Sequence, residues 1–178
     1  MRPQRFWLFP LLLVLLLLLP ACMAELAEED LVGRGGPTPQ AAVESFLATL
    51  NEALQADLAD ETARRGWAER LASYFAPSER ADQRIVFSRM LATYAQSAAR
   101  PVYGSAATVQ ITYTGAEVIK RQGDRAVVRV VDGQVTLQWL DGEGQVVRER
   151  TSALTTLMGQ AEGFPVLRVG GSWFITEG

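Results

Sequence analysis

One cysteine, Cys22, and no histidine at all set the limits of any chemistry this chain can do. Imidazole is the commonest general base and metal ligand near neutral pH. Without it, and with a single thiol, a zinc or transition-metal site lacks suitable ligands. Ser-His-Asp and Cys-His nucleophile systems are excluded for the same reason. The sequence therefore marks no catalytic residue, no metal ligand and no cofactor-binding residue. What remains is the thiol, and its position decides its use.

Cys22 directly follows "LLLVLLLLLPA". Arg2 and Arg5 give the chain a positive start, and Leu11 to Leu19 are Leu or Val without interruption. Counted back to Phe6, the apolar run is still shorter than the ~20 residues of a spanning helix. Pro20 breaks it and small residues follow. A charged start, an apolar middle and a small-residue end form a secretion signal. A buried core helix fits badly, because no polar stripe exists.

Leu19-Pro20-Ala21-Cys22 resembles a bacterial lipobox, in which Leu, a small residue and Ala or Gly precede the cysteine that takes the lipid. Leu19, Ala21 and Cys22 match, and Pro20 stands where Ala, Ser or Thr is usual. The resemblance implies diacylglyceryl transfer to the Cys22 sulfur and cleavage between Ala21 and Cys22. The freed amino group would then be open to acylation. Several chains on one residue anchor stably, whereas one chain holds only marginally. Two other fates stay open: cleavage after Ala24, which releases a cysteine-free protein, and an uncleaved anchor. The expected location is the outer face of a bacterial cytoplasmic membrane or its envelope, with the membrane held through Cys22.

The chain then divides into a signal at 1–21, a lipidated tether at 22–37 and one domain at 38–178. The tether has Glu25, Glu28, Glu29 and Asp30, then Gly33, Gly35, Gly36 and Pro37. It reads as an acidic spacer that keeps the domain off an anionic surface. The 178 residues carry 17 basic and 20 acidic side chains, a net −3. Removing Arg2 and Arg5 leaves 15 against 20. That mildly acidic balance argues against nucleic acid as a partner. All basic residues except Lys120 are Arg.

Helical spacing comes first. Thr38-Pro39 supplies a cap and a first-turn proline, followed by Val43, Phe46, Leu47, Leu50, Leu54 and Leu58 on one face. A second helix starts at Asp60 to Thr62 with Trp67, Leu71, Tyr74 and Phe75. A third starts at Pro77-Ser78, with Phe87, Met90, Leu91, Tyr94 and Ala98 on one face, and ends before Pro101. After Gly104 the period is two, with Val109, Ile111 and Tyr113 alternating with polar residues. Turns are expected at Gly123-Asp124, Asp141 to Gly144 and Gly170-Gly171. Asp132-Gly133 reads as a bulge bending one long strand from 125 to 140, since a hairpin there leaves very short strands. Trp173 and Ile175 should face inward and Phe174 the other way. Helices followed by an antiparallel meander make an α+β domain with helices on one sheet face.

This order resembles the nuclear transport factor two-like superfamily, the cone-shaped fold of SnoaL-like and ketosteroid-isomerase-like proteins. "TPQAAVESFLATLNEAL", "LASYFAP" and "VLRVGGSWFIT" carry the resemblance over about residues 38 to 177, and a cystatin-like sheet wrapped on one helix is its rival. It implies three helices on a curved sheet around a pocket, which some members use for catalysis and many exported ones for binding or assembly. Asp57, Asp60 and Asp82 sit where capping explains them. Arg129, Arg148, Glu149 and Arg150 lie on strands, where cross-strand pairing on a wet face is the ordinary explanation. Alternation nevertheless puts Arg148 and Arg150 on one face, and two arginines turned into a cone would bind an acidic ligand. The leading expectation is a non-catalytic binding or accessory domain, taking a small apolar ligand or an envelope protein. An isomerase or cyclase using one buried carboxylate and a self-associating module are the alternatives.

Overall fold

Thr38 opens the first helix as its type requires. In a computed structural model, which describes residues 33–99, 106–155 and 163–178, its hydroxyl accepts the Ala41 N–H at 3.1 Å. Pro39 occupies the first helical turn, where its missing N–H costs nothing. Helix α1 is Pro39–Gln55, α2 is Glu61–Ala72 and α3 is Arg80–Ala99. Asp60 caps α2 by accepting the Ala63 N–H at 2.8 Å. Asp57 accepts the Ala59 N–H just beyond α1. The third helix starts later than Pro77-Ser78, after a short turn in which Glu79 N–H bonds the Ala76 carbonyl. Leu58, Tyr74 and Phe75 are buried as expected but lie past the ends of their helices. Residues 1–32, on which the expected signal, the lipobox-like stretch ending at Cys22 and most of the expected tether fall, lie outside the described residues. No helix among the described residues is long and apolar enough to cross a membrane.

Seven described strands follow: β1 (Ala106–Thr112), β2 (Gly115–Gln122), β3 (Arg125–Val131), β4 (Gln134–Leu140), β5 (Val146–Ala153), β6 (Phe164–Val169) and β7 (Ser172–Ile175). They form two antiparallel sheets, ordered β1-β4-β5 and β2-β3-β6-β7. The expected turns are present. Gly123 has φ 58°, Gly144 has φ 80°, and Gly170 and Gly171 have φ 59° and 91°. In the last pair both turn residues need positive φ, which glycine adopts without strain.

The Asp132-Gly133 step corrects the expectation of a bulge. Thr112 faces Gln134 and Gly115 faces Val131, with two residues between on each strand. No residue is inserted, so the ladder is bent rather than bulged. Asp132 makes the bend with φ 52°, and Asp is one of the few residue types that tolerate it. Thr114 braces it by donating its hydroxyl to the Asp132 carboxylate at 3.0 Å. The one long strand expected from 125 to 140 is therefore two, β3 and β4, paired with β2 and β1 in different sheets and separated by this bend. The register shift of this ladder sits instead between Val118 and Lys120.

Helix α1 packs on β1, β2, β3 and β7, and α2 packs on α3. Phe46 sits at the centre, with ring centroids of Tyr74, Phe75, Phe87 and Phe164 at 5.6 to 6.4 Å. The buried Thr49 and Tyr74 hydroxyls pair at 2.8 Å, which removes the penalty of burying either alone. Trp173 and Ile175 face this core and Phe174 the opposite side. Phe174 is nonetheless 1 % exposed, because Gly35 presses on its ring and the Arg80 guanidinium lies over it at 5.3 Å.

That contact also moves the domain boundary. Arg34–Gly178 forms one compact unit, so Gly35 and Gly36 belong to the fold rather than to a spacer. Gly36 and Trp173 exchange two backbone hydrogen bonds of 2.8 Å. A Cβ on Gly36 would lie 2.3 Å from the Ala42 nitrogen.

Candidate functional site

The β1-β4-β5 sheet has two unlike faces. Its outer face is polar and internally paired. Thr136 and Thr151 hydroxyls meet at 3.2 Å, and Gln138 donates to Glu149 at 2.7 Å. Its inner face has three rows set by register: Ile111, Val135 and Ser152; Val109, Leu137 and Arg150; Ala107, Trp139 and Arg148. The first row joins the core through Ile111 and Val135. The other two rows run out from it, half-buried on β1 and β4 and exposed on β5.

Among the described residues, the main helix cover of this sheet lies on β1. Asn51 of α1 accepts the Ile111 N–H at 2.8 Å, and Tyr94 of α3 donates its hydroxyl to the Leu54 carbonyl at 3.0 Å. Burial pushes the Tyr94 phenol up, and a backbone hydrogen bond to Val109 works the other way. Burial raises Tyr113 as well, and the Glu44 carboxylate adds to that. No helix packs to a similar extent on β4 or β5 among the described residues. Among the described residues β5 pairs with β4 alone and forms the edge of its sheet.

Arg148 and Arg150 thus share the inner face, as alternation requires. The Arg148 guanidinium lies 4.9 Å from the Trp139 ring centroid, a cation–π contact of about 0.5–1 kcal/mol at an exposed site. No ion pair among the described residues involves either arginine. Arg129 behaves differently: it forks onto Glu117, at 2.7 and 2.5 Å, on the wet face of the other sheet. Glu149 points outward to Gln138.

Beside the outermost row lies a cleft of about 430 Å³ between the end of α1, α3 and β1. Leu54, Asp57, Leu58, Tyr94, Ala95 and Ala107 are among its lining residues. Ala107 opposes Trp139, which opposes Arg148. Two strand spacings separate the cleft wall from Arg148, roughly 10 Å. The path therefore starts apolar, crosses an indole and ends at two cations. Asp57 at the near end repels an anion, so a bound acid would place its charge at the arginines.

No Asp or Glu among the described residues is buried, and the buried polar residues are Thr49 and Gln83. The half-buried Glu79 takes the Thr176 hydroxyl and the Glu177 N–H. Asp141 takes the Glu143 and Gln145 N–H groups of its turn. No group of three or more acidic, cysteine or histidine side chains is placed to hold a metal among the described residues. Sequence reasoning found the two arginines but missed Trp139 and the cleft. A tryptophan between Gln138 and Leu140 reads as core until its strand is seen to leave the helices. Comparison with protein-family models, curated proteins and solved structures finds no match.

Proposed function

We propose that this is a lipoprotein of the bacterial envelope, anchored through Cys22, whose domain binds an amphipathic anion or acidic segment without transforming it. The observation that carries the binding reading is the pair Arg148 and Arg150, without ion partners among the described residues, at the end of an apolar path through Trp139. Charge there, and apolar surface beside it, fit a molecule with an acidic head and an apolar body. The SnoaL-like resemblance is supported by three helices followed by a bent antiparallel ladder around α1. The isomerase alternative needs a carboxylate buried in an apolar pocket; among the described carboxylates Asp57 lines the cleft but is exposed, and none is buried.

Titration with decanoate and with decanol, followed by tryptophan fluorescence, tests this. Decanoate should bind saturably and more tightly than decanol. Arg148→Gln with Arg150→Gln should remove most of that preference, about tenfold or more for two charge-assisted contacts. Equal affinity for acid and alcohol, or no saturable binding of either, would sink the reading. Self-association has one observation in its favour: Val146 and Val147 are 50 % and 56 % exposed on β5, the edge strand of its sheet among the described residues. A single monomeric mass at high concentration would remove it.

A further inference from the structure

The other sheet ends in a concentration of positive charge that the binding face does not use. The β2–β3 and β6–β7 hairpins turn side by side, because the Arg168 N–H donates to the Asp124 carbonyl at 2.8 Å. Lys120, Arg121, Arg125 and Arg168 all stand exposed at that end. Arg121 reaches across to lie 5.1 Å over the Trp173 ring, and Arg168 faces Trp173 from β6. Lys120 and Arg125 line one cleft of about 200 Å³. No ion pair among the described residues involves any of the four. Asp124 is the one side-chain carboxylate within the two hairpin ends, and Glu177 is bonded to Gln83 instead. Four cations against one anion, on a chain of net −3, is a strong local excess. Two exposed apolar side chains, Ile119 at 41 % and Val169 at 38 %, lie among them.

The chain joins the fold at this same end. Gly36 bridges Trp173, and Gly35 lies against Ser172, where β7 begins. About a dozen residues separate Cys22 from Gly35, which reach at most roughly 40 Å fully extended. A lipid on Cys22 would leave these hairpins within that reach of the bilayer.

We propose that the ends of the β2–β3 and β6–β7 hairpins make a second contact with an anionic lipid surface through Lys120, Arg121, Arg125 and Arg168. The inference rests on the reading of Cys22 as the anchor. Cations near an anionic surface each improve partition by roughly fivefold, and the attraction fades within a Debye length. The acidic run from Glu25 to Asp30 opposes the approach, so the contact is salt-sensitive and reversible. Isoleucine and valine between the cations fit the headgroup boundary, where apolar side chains gain by leaving water.

The test uses the full chain in phosphatidylcholine vesicles with and without phosphatidylglycerol, and reads backbone amide exchange over residues 119–125 and 167–172. Exchange should slow about tenfold in the anionic vesicles and recover in high salt. Replacing all four cations by Gln should abolish the slowing. Lys120→Gln with Arg125→Gln, which disturbs no buried ring, should weaken it if the larger variant misfolds. Equal exchange in both vesicles would overturn the proposal. So would slowing that persists in pure phosphatidylcholine, which marks contact between copies. The mass of the amino terminus is a separate readout. Slowing in anionic vesicles with Cys22 unmodified would keep this contact and remove the anchor.

Discussion

Arg148 and Arg150 differ from Arg129, also on a strand, in having no carboxylate opposite them. Arg129 faces Glu117, and the pair satisfies itself. Arg148 and Arg150 face Trp139 and Leu137, so their charge is left for water or for a ligand. An exposed pair such as Arg129–Glu117 adds little to stability, about 0–1 kcal/mol. Two tyrosines do link single residues to the stability of the fold. Tyr94 and Tyr113 donate to the Leu54 and Glu44 carbonyls, and burial raises both phenols. Folding thus holds their protons more tightly than the unfolded chain does. That contribution is whole below the ordinary tyrosine value of about 10 and drains away as pH climbs through the folded values. Melting temperature followed from about pH 9 to 11 should fall, and fall less steeply for Tyr94→Phe with Tyr113→Phe. An identical slope in the variant would contradict this.

At the scale of elements, Gly36 and Trp173 test one junction from both sides. A Cβ at Gly36 meets the backbone of Ala42 rather than a flexible side-chain tip, so Gly36→Ala should destabilise by about 1–3 kcal/mol. Trp173→Ala removes a core side chain that is 2 % exposed and should cost roughly 3–5 kcal/mol. Chemical denaturation measures both. An unchanged midpoint for Gly36→Ala would return residues 34–37 to the spacer. The sequence made several devices legible: the Thr38 and Asp60 caps, the Gly170-Gly171 turn and the inward pair Trp173 and Ile175. Each is a local choice of residue with a local reason. Gly35-Gly36 misled because the same freedom that suits a linker also permits close approach to a strand. The Asp132 bend misled because a bulge is defined by what stands opposite, and one strand's alternation does not reveal its partner's register. The cleft was illegible for a related reason: three elements far apart in sequence build it.

At the scale of the molecule, the two sheets divide the work. The β2-β3-β6-β7 sheet takes the α1 core and the incoming chain. The β1-β4-β5 sheet carries Trp139, Arg148 and Arg150 on the part of its inner face that no described helix covers to a similar extent. Where this arrangement operates depends on residues outside the fold. The apolar run before Cys22 is too short to span, and no described helix can substitute for it. On the proposed lipoprotein reading attachment runs through the Cys22 thiol, and Cys22→Ser should then move the protein to the soluble exported fraction or leave it an uncut precursor. The most direct measurement is the intact mass of the native protein extracted from membranes, with fragmentation of its amino terminus. It should begin at Cys22 and carry a diacylglyceryl group there. A chain beginning after Ala24, or one with Cys22 present and unmodified, would contradict the lipoprotein reading.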